Sequence, residues 1–122
     1  GTTFGGSPVP CAAALAHLNL RDRMDLDAHV GAMSAVLMAE LREIAASDAE
    51  RFGEPRGIGL LAGLPVKEPY SAKDIANAAL SEHLLINAAG SNTLRFVPPL
   101  IIGEHELREG TRRLRSAIAA SR

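Results

Sequence analysis

The sequence predicts an α+β fold, a small sheet of about three strands covered by helices. Two observations carry that prediction. Over residues 25–47, Leu26, Val30, Met33, Leu37, Leu41 and Ile44 recur at intervals of three and four, the mark of an amphipathic helix. Farther on, apolar runs of strand length at 57–64, 84–89 and 93–97 are punctuated by Gly and Pro, and stretches of helical pattern separate and follow them. The order is two helices, strand, helix, two strands, helix, which by itself names no function.

The chain opens on Gly1-Thr2-Thr3-Phe4-Gly5-Gly6-Ser7-Pro8, two threonine hydroxyls and three glycines leading into a helix. Such a turn leaves backbone N–H groups and hydroxyl donors pointing outward where a helix N-terminus adds positive partial charge, which suits a phosphate. It is equally the composition of a plain turn and cap. Ser7 is placed as N-cap and Pro8 as first helical residue, and the helix runs over residues 8 to about 20. It is apolar almost all round, from Val9 through Cys11 and Leu15 to Leu20, so it calls for burial on more than one side.

The 25–47 helix follows, and 48–55, polar with Gly53 and Pro55, reads as a loop. Residues 57–64, with glycines at alternate places, read as one buried strand with a close neighbour on its glycine side. Ser71 caps a helix over 72–82. Residues 84–89 and 93–97 form a hairpin about Gly90-Ser91-Asn92, stopped by Pro98-Pro99. The last helix, 104–119, starts with Glu104 and Glu106 and ends among arginines, as the helix dipole favours.

Composition narrows the function classes. The chain has 122 residues, suited to one domain, and a formal net charge of -1 with 3% aromatic residues. Neither the basic footprint nor the stacking side chains of a nucleic-acid binder are present. No apolar run approaches the roughly 18 residues of a membrane span, and the start lacks signal-peptide character, so the expectation is a soluble, cytoplasmic protein without nucleic-acid or membrane partners. Cys11, the only cysteine, is expected to be a buried structural thiol. With no initiator Met and a binding turn at the first residues, the chain reads as a piece of a longer one.

Few side chains carry a chemical signal. His17, His29, His83 and His105 show no metal-ligand spacing. The pairs Asp25/Asp27 and Glu104/Glu106 fall at helix starts, where capping and dipole effects account for them. Arg108, Arg112, Arg113 and Arg115 read as a solvated face, and Ser71 and Ser81 lack a nucleophile-elbow context. Lys67 and Lys73 read as solvated charges. Arg95 stands out as the one charge inside an apolar strand. It either recognises a substrate carboxylate with a bidentate guanidinium or forms a buried structural ion pair.

Three stretches, in this order and spacing, resemble the C-terminal part of class III, fold-type-I, pyridoxal-phosphate-dependent aminotransferases. They are the opening Gly1–Pro8 with its Ala-rich helix, then Arg56-Gly57-Ile58-Gly59-Leu60-Leu61-Ala62-Gly63, then Leu85-Ile86-Asn87-Ala88-Ala89-Gly90 leading into Leu94-Arg95-Phe96-Val97-Pro98-Pro99-Leu100. Within the family the likeness is greatest to members that take N-acetylornithine as amino donor and 2-oxoglutarate as acceptor in arginine synthesis; ornithine and succinyldiaminopimelate are alternative donors. A stand-alone α+β module that binds an anionic metabolite or a protein is the alternative from a different class.

The resemblance implies a homodimer in which Thr3 hydrogen-bonds the phosphate of pyridoxal 5'-phosphate held by the other subunit, while Thr2 lies at the substrate and Arg95 near it. Residues 1–23 would be the cofactor-phosphate loop and interdomain helix, and 24–122 the C-terminal small domain. Ser7 stands where the family usually has Asn, and Pro10 where it more often has a small helix former. The lysine that bonds the cofactor matches neither Lys67 nor Lys73 and would lie upstream of Gly1. The chain alone is therefore expected to be inactive and to hold no cofactor stably.

Overall fold

The computed structural model describes residues 1–121. Four helices, α1 (Pro8–Arg23), α2 (Leu26–Ser47), α3 (Ala72–Ser81) and α4 (Glu104–Ala120), accompany four strands, β1 (Arg56–Ile58), β2 (Leu61–Pro65), β3 (Asn87–Ala89) and β4 (Thr93–Phe96). The strands form one antiparallel sheet in the order β1-β2-β4-β3. The predicted α+β class holds, with one strand more than expected.

The extra strand comes from residues 57–64, which are not one strand but a hairpin. Gly59 takes φ +57, a turn conformation costly for residues with a Cβ, so the chain reverses and Ile58 pairs with Leu61. β1 is consequently an exposed edge rather than a buried strand. The expected close neighbour is real: a Cβ at Gly63 would lie 3.1 Å from Thr93 Cγ2. The 84–89 segment pairs only over Asn87–Ala89, while Leu84 and Ile86 leave the ladder to pack on the core.

Period-two alternation sets the sheet's two faces. Ala62 and Leu64 of β2, with Leu94 and Phe96 of β4, are buried under the helices, whereas Leu61, Gly63, Thr93 and Arg95 face the other way. The core joins these strands to the apolar stripes of α2, α3 and α4; Leu41, Ile44, Leu64, Leu94 and Leu114 are fully buried. Burial of each such side chain contributes about 1.5–3 kcal/mol. Ser71 caps α3 as predicted, its Oγ accepting from Asp74 N at 3.2 Å. Asn92 locks the β3–β4 turn to the neighbouring loop: its Nδ2 donates to Val66 O and Tyr70 O, and its Oδ1 accepts from Ala72 N.

Helix α1 differs from the rest. It starts at Pro8 and runs on to Arg23, yet none of its residues is buried, and Val9, Leu15, Leu18 and Leu20 are exposed. Cys11 is exposed too, contrary to the buried thiol expected, because this helix meets little of the chain beyond α2. Ser7 occupies the N-cap position and Pro8 the first helical one, as read, although the Ser7 side chain makes no cap bond. At the start of α2, Asp25 sits at φ 45 with no cap bond, and Asp27 instead pairs with Arg21.

The arginines of α4 are not simply solvated. Arg108 bonds Glu104 and Glu40, Arg115 lies 3.2 Å from Glu43, and Glu109 accepts from both Arg112 and Arg113. These pairs staple α4 to α2 and to itself. Arg51, unremarked in the sequence, is buried at 3% exposure; its Nη1 donates to Ile118 O at 2.9 Å and its guanidinium lies 4.5 Å over the Tyr70 ring.

Candidate active-site face of the sheet

The open face of the sheet carries two arginines and a threonine among exposed apolar residues such as Ile58 and Leu61. Arg56 pairs with Gly63, Gly63 with Arg95, and Arg95 with Asn87, so one row crosses all four strands. Gly63 lacks a side chain in the middle of that row. The result is a groove of about 530 Å³ lined by Arg56, Gly57, Gly63, Ala89, Thr93 and Arg95 among others. Two guanidinium groups and no carboxylate border it.

Arg95 is exposed, and among the described residues no carboxylate lies within ion-pair distance of it. Its Nε donates to Asn87 Oδ1 at 3.2 Å. The buried structural ion pair that was one of its two readings is therefore not what the structure contains. Arg95 also lines a second cavity of about 360 Å³, with Phe96, Pro98, Ile102, Glu106 and Leu107, on the side of α4. A guanidinium held through Nε keeps its two Nη groups for an incoming anion, and the fork geometry matches a carboxylate.

Thr2 and Thr3 lie in the exposed loop before α1, and neither lines the grooves that Arg95 borders. Within this chain the opening loop and Arg95 thus do not line a common groove. Gly6 takes φ 79, so the turn requires glycine there, while a Cβ at Gly5 would meet only the Thr2 methyl, which can swing aside.

Pyridoxal phosphate finds only part of its needs here. Exposed hydroxyls on a glycine turn fit a phosphate; Lys67 Nζ donates to Ala49 O at 2.8 Å, and neither lysine lines the Arg95 grooves. Among the described residues, no three His, Cys, Asp or Glu side chains come together as a metal site, and no helix is long and apolar enough to cross a membrane.

Asn87 and Arg56 were not singled out from sequence. A signal for Asn87 was present, because a hairpin that pairs Ala89 with Thr93 must also pair Asn87 with Arg95. Arg56 needed the hairpin at Gly59, which the sequence reading missed.

Comparison with known proteins shows the family. The family model for class-III aminotransferases matches residues 1–118. Acetylornithine aminotransferase of Nostoc sp. is 38% identical over 120 residues, covering 97% of this chain but 28% of that protein. The enzyme of the same name from Vibrio parahaemolyticus is 39% identical over 121 residues, 98% of this chain and 30% of that protein. Among solved structures, acetylornithine aminotransferase from Elizabethkingia anophelis superposes with a TM-score of 0.89 at 27% identity, over 98% of this chain and 30% of that one. The chain spans under a third of the length of these relatives. The 122-residue chain belongs to the class III aminotransferase family.

Proposed function

We propose that this chain is the C-terminal part of an acetylornithine aminotransferase, which moves an amino group from N-acetylornithine to 2-oxoglutarate within a homodimer. The observation that carries this reading is Arg95, exposed on the open sheet face without an ion-pair partner among the described residues and bordering one groove with no carboxylate, while the second cavity it lines includes Glu106. The names of the relatives supply the donor, and residues 24–122 would be the small domain of the intact enzyme.

In this reading, Arg95 receives the carboxylate of the amino-acid and 2-oxo-acid substrates and fixes which face they present. Thr3 donates its hydroxyl to the cofactor phosphate bound by the other subunit, and Thr2 borders the substrate. Gly5 and Gly6 keep the loop backbone low enough for that approach. Pyridoxal phosphate, when bound, supplies an electron sink for the carbon that carries the amino group. The lysine for that chemistry belongs to another part of the protein, so the isolated chain does not transaminate. The open face of the sheet and the uncovered α1 are both surfaces that a larger domain would cover.

The intact protein, loaded with pyridoxal phosphate and given 2-oxoglutarate, tests this with three donors in turn. Preferred turnover of N-acetylornithine over ornithine and succinyldiaminopimelate supports the reading. Preference for another of the three replaces the donor, and transamination of none overturns it.

A further inference from the structure

We infer that Asn87 is a positioning residue for Arg95: it holds the guanidinium by Nε and so reserves the two Nη groups for the substrate carboxylate. The inference rests on the proposed role of Arg95. Its own support is geometric. Asn87 and Arg95 are paired residues on adjacent antiparallel strands, so their side chains leave the same face of the sheet. The Arg95 Nε donates to Asn87 Oδ1 at 3.2 Å, and among the described residues it is the only side-chain hydrogen bond Arg95 makes.

An arginine can meet a carboxylate side-on, through Nε and one Nη, or end-on, through both Nη groups. With Nε engaged by Asn87, the end-on edge is what remains. Gly63, on the other flank of Arg95 in the same row, offers no side chain to interfere. The choice of Asn also has an electrostatic sense. An amide oxygen accepts the Nε–H without adding charge, whereas a carboxylate there would neutralise the guanidinium and compete with the substrate. Asn87 thus orients the cation and leaves its charge for the ligand.

Calorimetric titration of the intact, cofactor-loaded protein with glutarate, an unreactive dicarboxylate, separates the possibilities. Asn87→Ala should weaken glutarate binding about 3- to 10-fold, the scale of one hydrogen bond, and Asn87→Asp should weaken it more although it keeps an acceptor. In an Arg95→Ala background, Asn87→Ala should change nothing further, because its effect passes through the guanidinium. Steady-state kinetics should show a raised KM for 2-oxoglutarate with kcat nearly kept.

If Arg95→Ala leaves glutarate affinity unchanged, the underlying role of Arg95 is wrong. If Arg95→Ala weakens it but Asn87→Ala does not, or Asn87→Ala costs the same factor in both backgrounds, the positioning role is overturned. Tighter binding by Asn87→Asp would overturn it as well.

Discussion

Gly57 lies so close to Leu61 across the β1–β2 hairpin that a Cβ on it would stand 2.3 Å from the Leu61 carbonyl oxygen and 2.8 Å from Ala62 Cα. Both obstacles are backbone, so neither can swing aside. Gly57→Ala is expected to force the hairpin apart and cost about 2–3 kcal/mol of stability, the scale of overpacking. Gly63→Ala, whose Cβ meets a Thr93 methyl at 3.1 Å, should cost less. Urea unfolding midpoints of the two variants check the order; equal midpoints would contradict it.

Arg51 bridges the loop after α2 to the C-terminal turn of α4 through Ile118 O, with Asp48 Oδ2 3.3 Å from its Nε. That Nε nonetheless makes no well-aligned hydrogen bond, while Nη1 also donates to Ser121 Oγ at 3.4 Å and the guanidinium lies over the Tyr70 ring. Arg51→Ala should lower stability by about 2–4 kcal/mol, because a charge-assisted bond and a packed stem are lost together. Unfolding within about 0.5 kcal/mol of the parent, the usual range for surface changes, would contradict this.

These two sites show where the sequence was readable and where it was not. Periodicity located α2, α3 and α4 because each presents a single apolar stripe to one core. The hairpin at Gly59 was hidden because strand and turn residues look alike in an all-apolar run. Its markers, the positive φ of Gly59 and the pairing of Ile58 with Leu61, exist only in three dimensions. Cys11 was misjudged for a different reason: the apolar character of α1 was read correctly, but none of its residues is buried by the rest of the described chain. Arg95 was legible as an isolated charge, whereas its partner Asn87 emerges only from the register of β3 on β4.

Glu109 should give the chain a pH signature. Hydrogen bonds from Arg112, then from Arg113, hold its carboxyl down from the ordinary 4.5 to about 2. In the pH interval between those values the unfolded chain binds more protons than the folded one, so stability falls as pH falls. The contribution is complete above about 4.5 and gone once pH passes below about 2. Carboxyl NMR titration should place Glu109 near the lower value, and Glu109→Gln should flatten the melting-temperature profile across that window. A titration in the ordinary carboxylate range would contradict the pairing.

The opening loop makes a separable prediction. If Thr3 donates to the cofactor phosphate, Thr3→Val in the intact protein should weaken pyridoxal phosphate retention by about 10-fold or more, the worth of a charge-assisted hydrogen bond. Thr3→Ser should keep it. Equilibrium dialysis against the free cofactor measures both, and equal retention by the valine variant would remove Thr3 from the phosphate site.

The most direct measurement of the central claim is the steady-state kinetics of Arg95→Ala in the intact protein with N-acetylornithine and 2-oxoglutarate. The account predicts that kcat/KM falls by on the order of 100-fold or more for both substrates while the fold and cofactor content are kept, since each loses its charge-assisted partner. A value within about 3-fold of the parent would contradict it, for the lost interaction would then have contributed almost nothing to the transition state.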